Sequence, residues 1–139
     1  FFEREPGAGS VGSGADHFGF SMSNVAEVVA SVVEDGGKQL GELVEFGGMQ
    51  IGFVEDPWGT KIEIIDDPDL RGMHHLHLSS PNPAATLDWY SENFGGERET
   101  WKGALPALNY GDIWLMVSQA IRIAFADGPD GVRIELVEP

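Results

Sequence analysis

Two stretches of this chain are near copies of one another: Ile51-Gly-Phe-Val-Glu-Asp-Pro-Trp-Gly-Thr-Lys-Ile-Glu63 and Ile123-Ala-Phe-Ala-Asp-Gly-Pro-Asp-Gly-Val-Arg-Ile-Glu135. Each reads as a strand, a Pro/Gly turn and a second strand that ends on one carboxylate. A second echo lies upstream, where His17 with Asn24, Ala26 and Glu34 returns as His75 with Asn82, Ala84 and Glu92. The chain is therefore expected to fold as two matched halves that share one core. One histidine and one glutamate per half is also a metal-site pattern.

A length of 139 residues suits one domain able to bury most of the surface its unfolded form exposes. No apolar run approaches the roughly 18 residues of a membrane span, so no membrane partner is expected. The net charge of −15 excludes a nucleic-acid partner, since phosphate binding needs a basic surface. With no cysteine in the chain, disulfides, thiolate nucleophiles and sulfur-ligated metals are excluded together. Any metal must sit on nitrogen and oxygen. Phe1 to Pro6 shows neither a basic nor an apolar targeting region, which makes a cytoplasmic location the expectation, and residues 1–15 read as a flexible lead-in.

Residues 16–67 form the first expected module and 68–139 the second. In the first, His17, Gly19 and Ser21 share one strand face opposite Phe18, Phe20 and Met22. Asn24 with Glu27 offers a capping box, followed by Val25, Val28, Val29, Val32 and Val33 at helical spacing and Gly36 as a stop. So many valines make a poor intrinsic helix, which must depend on packing against a sheet. Strands are expected at Gly41 to Phe46, Met49 to Glu55 and Thr60 to Ile65, with a turn at Asp56 to Gly59. The order is βαβββ.

The second module opens alike: His75, His77 and Ser79 face away from Leu76 and Leu78, Asn82 caps a helix with Pro83 at its first position, and Gly95 ends it. Strands are expected near Glu97 to Lys102, Leu108 to Tyr110, Ile113 to Ser118, Ile121 to Ala126 and Val132 to Val137, two more than in the first module. The histidine echo runs from 17 to 75 but the glutamate echo from 63 to 135, so the second module carries extra residues, with an interruption near 120–121.

His17, Glu63, His75 and Glu135 are the candidate metal ligands, with small neighbours on the same face as each histidine to leave a cavity. Taken singly, each histidine also suits a hydrogen-bonded strand end, and Glu63 or Glu135 a surface pair with Lys61 or Arg133. His77 faces the same way as His75 and is a candidate substrate contact, whereas His74 falls on the face of Leu76 and Leu78.

With the βαβββ repeats, the histidine before each cap and the Asp-Pro-x-Gly-x-x-Ile-Glu ending in hand, residues 16 to 138 resemble the vicinal oxygen chelate superfamily. That superfamily includes glyoxalase I, extradiol dioxygenases and bleomycin-resistance proteins. Phe53 to Glu63 resembles the end of its second module, and Leu87-Asp-Trp-Tyr-Ser-Glu-Asn-Phe-Gly95 the helix of its first. This order suits either a piece of a longer tandem protein or a permuted domain whose halves pair around one site.

The resemblance implies an α+β fold in which paired βαβββ modules form a curved, cavity-enclosing mixed sheet with helices on the outer face. It implies a divalent metal (Ni, Zn, Mn or Fe) on His17, Glu63, His75 and Glu135, with Glu63 and Glu135 moving protons and His77 and Trp101 lining the substrate site. The position that would match the first-type module's glutamate, Trp114 to Met116, is apolar. The activity implied is a glyoxalase I-like lyase or isomerase acting through an enediolate on a small substrate with two adjacent oxygens. Two alternatives stand beside it: an extradiol-type dioxygenase on His17, His75 and Glu63, and a metal-free drug-binding protein using Trp58, Trp89, Trp101 and Trp114. A homodimer is expected, since the family commonly pairs modules across chains.

Overall fold

A computed structural model describes residues 9–10 and 13–119, together with the backbone of strands at 123–127 and 133–137. The first half runs β1 (Ala15–Ser21), α1 (Val25–Glu34), β2 (Lys38–Gln39), β3 (Val44–Phe46), β4 (Met49–Glu55) and β5 (Lys61–Ile65). The second runs β6 (Gly72–Ser80), α2 (Pro83–Phe94), β7 (Glu97–Trp101), β8 (Leu105–Asn109) and β9 (Trp114–Gln119). A hairpin of β10 (Ile123–Asp127) and β11 (Arg133–Val137) follows.

Nine strands make one mixed sheet in the order β2-β4-β5-β1-β6-β9-β8-β7, with β3 on β4. The sheet is open, its ends unpaired with one another. β1 runs parallel to β5 and β6 parallel to β9, while β1 and β6 pair antiparallel at the centre. Parallel neighbours need a crossover, and in each half a helix supplies it. β10 and β11 form a separate two-stranded sheet in which Phe125 stands opposite Glu135.

Alternation along the strands sorts the core onto two faces. Under α1, Val25 and Val29 pack on Val54 and Ile64, so the valine stripe gains from the sheet what it lacks in propensity. Under α2, Leu87 packs on Leu78, Leu108, Leu115 and Val117. The adjacent strand positions turn the other way: Ile65 and Met116 join Met49, Trp101 and Ala107 on the face without helices. Burying each of the Val, Leu, Ile and Met side chains among these contributes about 1.5–3 kcal/mol.

Three local expectations change. Asn24 sits in the left-handed region at φ 57° and makes no side-chain cap, so the capping box with Glu27 does not form; the Asn24 carbonyl accepts the Glu27 and Val28 amides instead. Asn82 does cap, accepting the Ala85 amide at 3.2 Å. The strand expected from Gly41 to Phe46 is shortened to β3, and the unexpected two-residue β2 precedes it, with Gly41 turning the chain between them at φ 76°. β8 starts earlier than expected, since Lys102 and Gly103 both take positive φ and reverse the chain within a tight turn after β7. Among the described residues no helix is long and apolar enough to cross a membrane.

Candidate metal centre

Register brings the site together at the middle of the sheet. β1 pairs with β5 so that Gly19 stands opposite Glu63, and with β6 so that Gly19 stands opposite His75 and His17 opposite His77. Glu63 and His75 thus flank a residue with no side chain. The His75 ring lies where a Cβ at position 19 would be, so glycine is required there by space rather than by backbone angle. The turn that aims Glu63 is held by Asp56, whose carboxylate accepts the amides of Trp58 at 2.9 Å and Thr60 at 2.8 Å.

Three ligand-type atoms converge. His17 Nε2 lies 3.0 Å from Glu63 Oε2 and 3.2 Å from His75 Nε2, and His75 Nε2 lies 3.7 Å from Glu63 Oε2. All three residues are buried. His17, His75 and His77 also offer ring nitrogens within 4.8 Å of one another, and Nε2 of His77 is buried without a hydrogen-bond partner. An orphaned imidazole nitrogen beside two others and a carboxylate is a donor set that fits a divalent cation on nitrogen and oxygen.

The surroundings keep the rings of His75 and His77 neutral. Burial, followed by the neighbouring His17, His74 and His77, pushes His75 down to about 2. Burial and then His17 push His77 down to about 4. Neutral imidazole is the form that ligates metals. The outer nitrogens are engaged: His17 Nδ1 is 2.6 Å from Asp16 Oδ1, and His75 Nδ1 is 2.7 Å from His74 Nδ1. Burial disfavours the Asp16 charge, but hydrogen bonds from Lys61 and His17 outweigh it and hold the carboxyl below its ordinary range. Lys61 therefore pairs with Asp16 at 2.8 Å.

Beside the ligands opens a cavity of about 370 Å³ lined by Phe46, Ile51, Glu63, His75, His77, Trp101, Leu105 and Met116, among others. Phe46 and Trp101 stack at 5.8 Å across its wall. Among the described residues, no lysine or arginine lines it. His74, expected on the face of Leu76 and Leu78, is fully buried, and its Nδ1 meets that of His75.

Neither known family profiles nor curated proteins match the sequence. Solved structures do match the fold. Glyoxalase I from Zea mays aligns with TM-score 0.62 at 21% identity, over 76% of this chain and 42% of the maize chain. Its E144Q mutant aligns with TM-score 0.61 at 16% identity, over 90% of this chain and 68% of that one. A "putative dioxygenase" from Bacillus subtilis aligns with TM-score 0.54 at 18% identity, over 75% of this chain and 40% of the other. The chain has the vicinal oxygen chelate fold. It spans less than half the length of the first and last of these matches.

The two halves meet across the central β1–β6 pair, each with a parallel neighbour on its outer side, which makes them directly comparable. β9 holds in the second half the place of β5 in the first, and Met116 stands opposite His77 as Glu63 stands opposite Gly19. So the carboxylate of the first half is answered by a buried thioether. Glu135 lies on β11, in the separate hairpin, and its side chain falls outside the described residues. The four tryptophans do not share a cavity: Trp58 is 77% exposed, Trp89 lies on α2 at 53%, and Trp101 borders the cavity beside Glu63, His75 and His77.

Proposed function

We propose that this chain is a metal-dependent enzyme of the vicinal oxygen chelate type, resembling glyoxalase I in acting as a lyase or isomerase on a small substrate with two adjacent oxygens. The observation that carries it is the convergence of His17 Nε2, His75 Nε2 and Glu63 Oε2 within 3.7 Å of one another. Those three residues would hold the ion, with His77 beside them as a fourth ligand or a contact to the substrate. A bound divalent ion supplies Lewis-acid polarisation of substrate oxygens.

The chain's own residues supply the rest. Asp16 and His74 orient the two ligand rings through their Nδ1 atoms, and Phe46, Ile51, Trp101 and Leu105 give the cavity an apolar wall. Glu63 is the carboxylate available to accept a proton from a substrate carbon beside the chelated oxygens. A cavity wall of aromatic and aliphatic groups favours a substrate with an apolar body. Residues 16–67 and 68–139 are the two modules of this reading, and a small-molecule substrate, a homodimer and a cytoplasmic location go with it.

One observation favours a second chemistry on the same ligands. Met116 occupies the place of a second carboxylate, leaving the two-His-one-carboxylate set that keeps coordination positions open for oxygen on Fe(II). An extradiol-type dioxygenase would use His17, His75 and Glu63 in that way. A metal-free binding role is disfavoured, because it gives no reason to bury three imidazoles against one carboxylate.

The test is metal content of protein purified without chelator, compared with His17→Ala, His75→Ala and Glu63→Gln. About one equivalent in the parent and loss in each variant is expected; stoichiometric metal in all three variants would sink the reading. Turnover of thiol adducts of 2-oxoaldehydes supports the lyase, and oxygen uptake with catechols the dioxygenase.

A further inference from the structure

His17 and His75 each have their outer nitrogen engaged by the residue immediately before them in sequence. On a regular strand that contact is out of reach, because successive side chains point to opposite faces. The register explains it. On β1, Ala15 pairs with Leu78 and His17 with His77, so Asp16 is an extra residue with no partner of its own. On β6, Met73 pairs with Phe20 and His75 with Gly19, so His74 is the extra residue. Both are β-bulges, and a bulge re-aims the side chain it carries. The two halves have built the same device at the same place, with a carboxylate in one and an imidazole in the other.

The imidazole version extends further. His74 Nε2 faces Asp67 Oδ2 at 3.2 Å, and Asp67 Oδ1 receives the Lys102 ammonium at 2.9 Å. His74 and Asp67 are 0% and 1% exposed. Burial disfavours the Asp67 charge, but hydrogen bonds from the Asp69 amide, Lys102 and His74 outweigh it and hold the carboxyl below its ordinary range. An ionised carboxylate only accepts, so His74 must carry its hydrogen on Nε2. With the ring hydrogen on Nε2, the Nδ1 of His74 is an acceptor, and His75 donates to it from its own Nδ1. That leaves the Nε2 lone pair of His75 facing His17 and Glu63.

We propose that Asp67 and His74 are positioning residues that fix His75 in its Nδ1–H tautomer and so present Nε2 to the ion, the counterpart of what Asp16 does directly for His17. This rests on the metal-centre reading above. Oriented outer partners of this kind are worth 10–100-fold in metal affinity. Asp67→Asn is the informative change, because its amide can donate to His74 Nε2. The chain of donors then reverses, His74 donates from Nδ1, and the hydrogen of His75 moves to Nε2.

The experiment is long-range 1H–15N NMR of the histidine rings in metal-free protein, with cobalt(II) titration followed by its visible absorption. In the parent, His75 is expected to carry its proton on Nδ1; in Asp67→Asn, on Nε2, with cobalt affinity falling 10–100-fold. A parent His75 protonated on Nε2 overturns the proposal without recourse to any variant. So does a folded Asp67→Asn protein that binds cobalt as tightly as the parent. Failure of the parent to bind cobalt at all overturns the metal-centre reading instead, and the tautomer measurement still decides the role of Asp67 and His74.

Discussion

Gly19 and His75 face each other across the central strand pair, and the imidazole of His75 fills the volume a side chain at position 19 would need. Alanine normally serves a strand better than glycine. Here the sign reverses: Gly19→Ala is expected to cost about 1–3 kcal/mol through overpacking and to displace the ring. Urea unfolding measures the first effect and cobalt titration the second. A variant as stable as the parent, with unchanged cobalt affinity, would contradict the placement.

Met116 is buried opposite His77, at the position related to Glu63. Met116→Glu puts a carboxylate there. Without metal the variant is expected to lose roughly 3 kcal/mol or more, because a buried charge stands without a partner. With zinc in excess most of that loss should return, since the added carboxylate joins the ligand set. Urea midpoints in chelator and in zinc check this; an equal deficit in both would show that position 116 does not reach the ion.

Acid should weaken the metal-free protein well before its carboxylates titrate. The folded values of His75 and His77, about 2 and about 4, lie below the ordinary 6.5, so the unfolded chain binds the extra protons first. The stability these neutral rings contribute is present above pH 6.5 and lost as pH falls towards those values. Between pH 7 and 5 the linkage amounts to about 2 kcal/mol for each ring, and the two are coupled, so their sum is a ceiling. Asp16 and Asp67, held below the ordinary carboxylate range, add to the loss at lower pH. Urea midpoints of chelator-treated protein that rise on acidification would refute this assignment.

The two helix starts should respond oppositely to mutation. Asn82 caps through its side chain, so Asn82→Ala is expected to cost about 1 kcal/mol. Asn24 makes no such bond and holds a left-handed backbone, so Asn24→Gly should be neutral or stabilising by a few tenths of a kcal/mol. Thermal unfolding of both single variants measures the contrast.

Much of this was legible in the chain. The period-two alternation around His17 and His75, the valine stripe of α1 and the turn before Glu63 are local signals, and they carried the helices and most strands to within a few residues. The short β2 and the late start of β3 were not legible, because they depend on the conformation that Gly41 takes against the finished sheet. The contact of His74 with His75 was hidden for the same kind of reason. Alternation assigns it to the opposite face, and only the pairing of β1 with β6 reveals that β6 has one residue too many. The signal available was the run Met73-His74-His75-Leu76-His77, too rich in histidine for an ordinary strand. The apolar run Trp114 to Met116 already marked where the second half lacks a carboxylate, and the register places Met116 opposite His77 as Glu63 stands opposite Gly19.

The antiparallel seam between β1 and β6 gives an ion at this centre a mechanical role. His17 and His75 lie 58 residues apart in sequence and on opposite sides of that seam. Any cation gripping both acts as a removable crosslink, closing a loop whose entropy is worth about 4 kcal/mol if the link is as firm as a covalent one. The two halves would then be riveted together when loaded and free to part when stripped, so chelation should first register as a faster rate of unfolding.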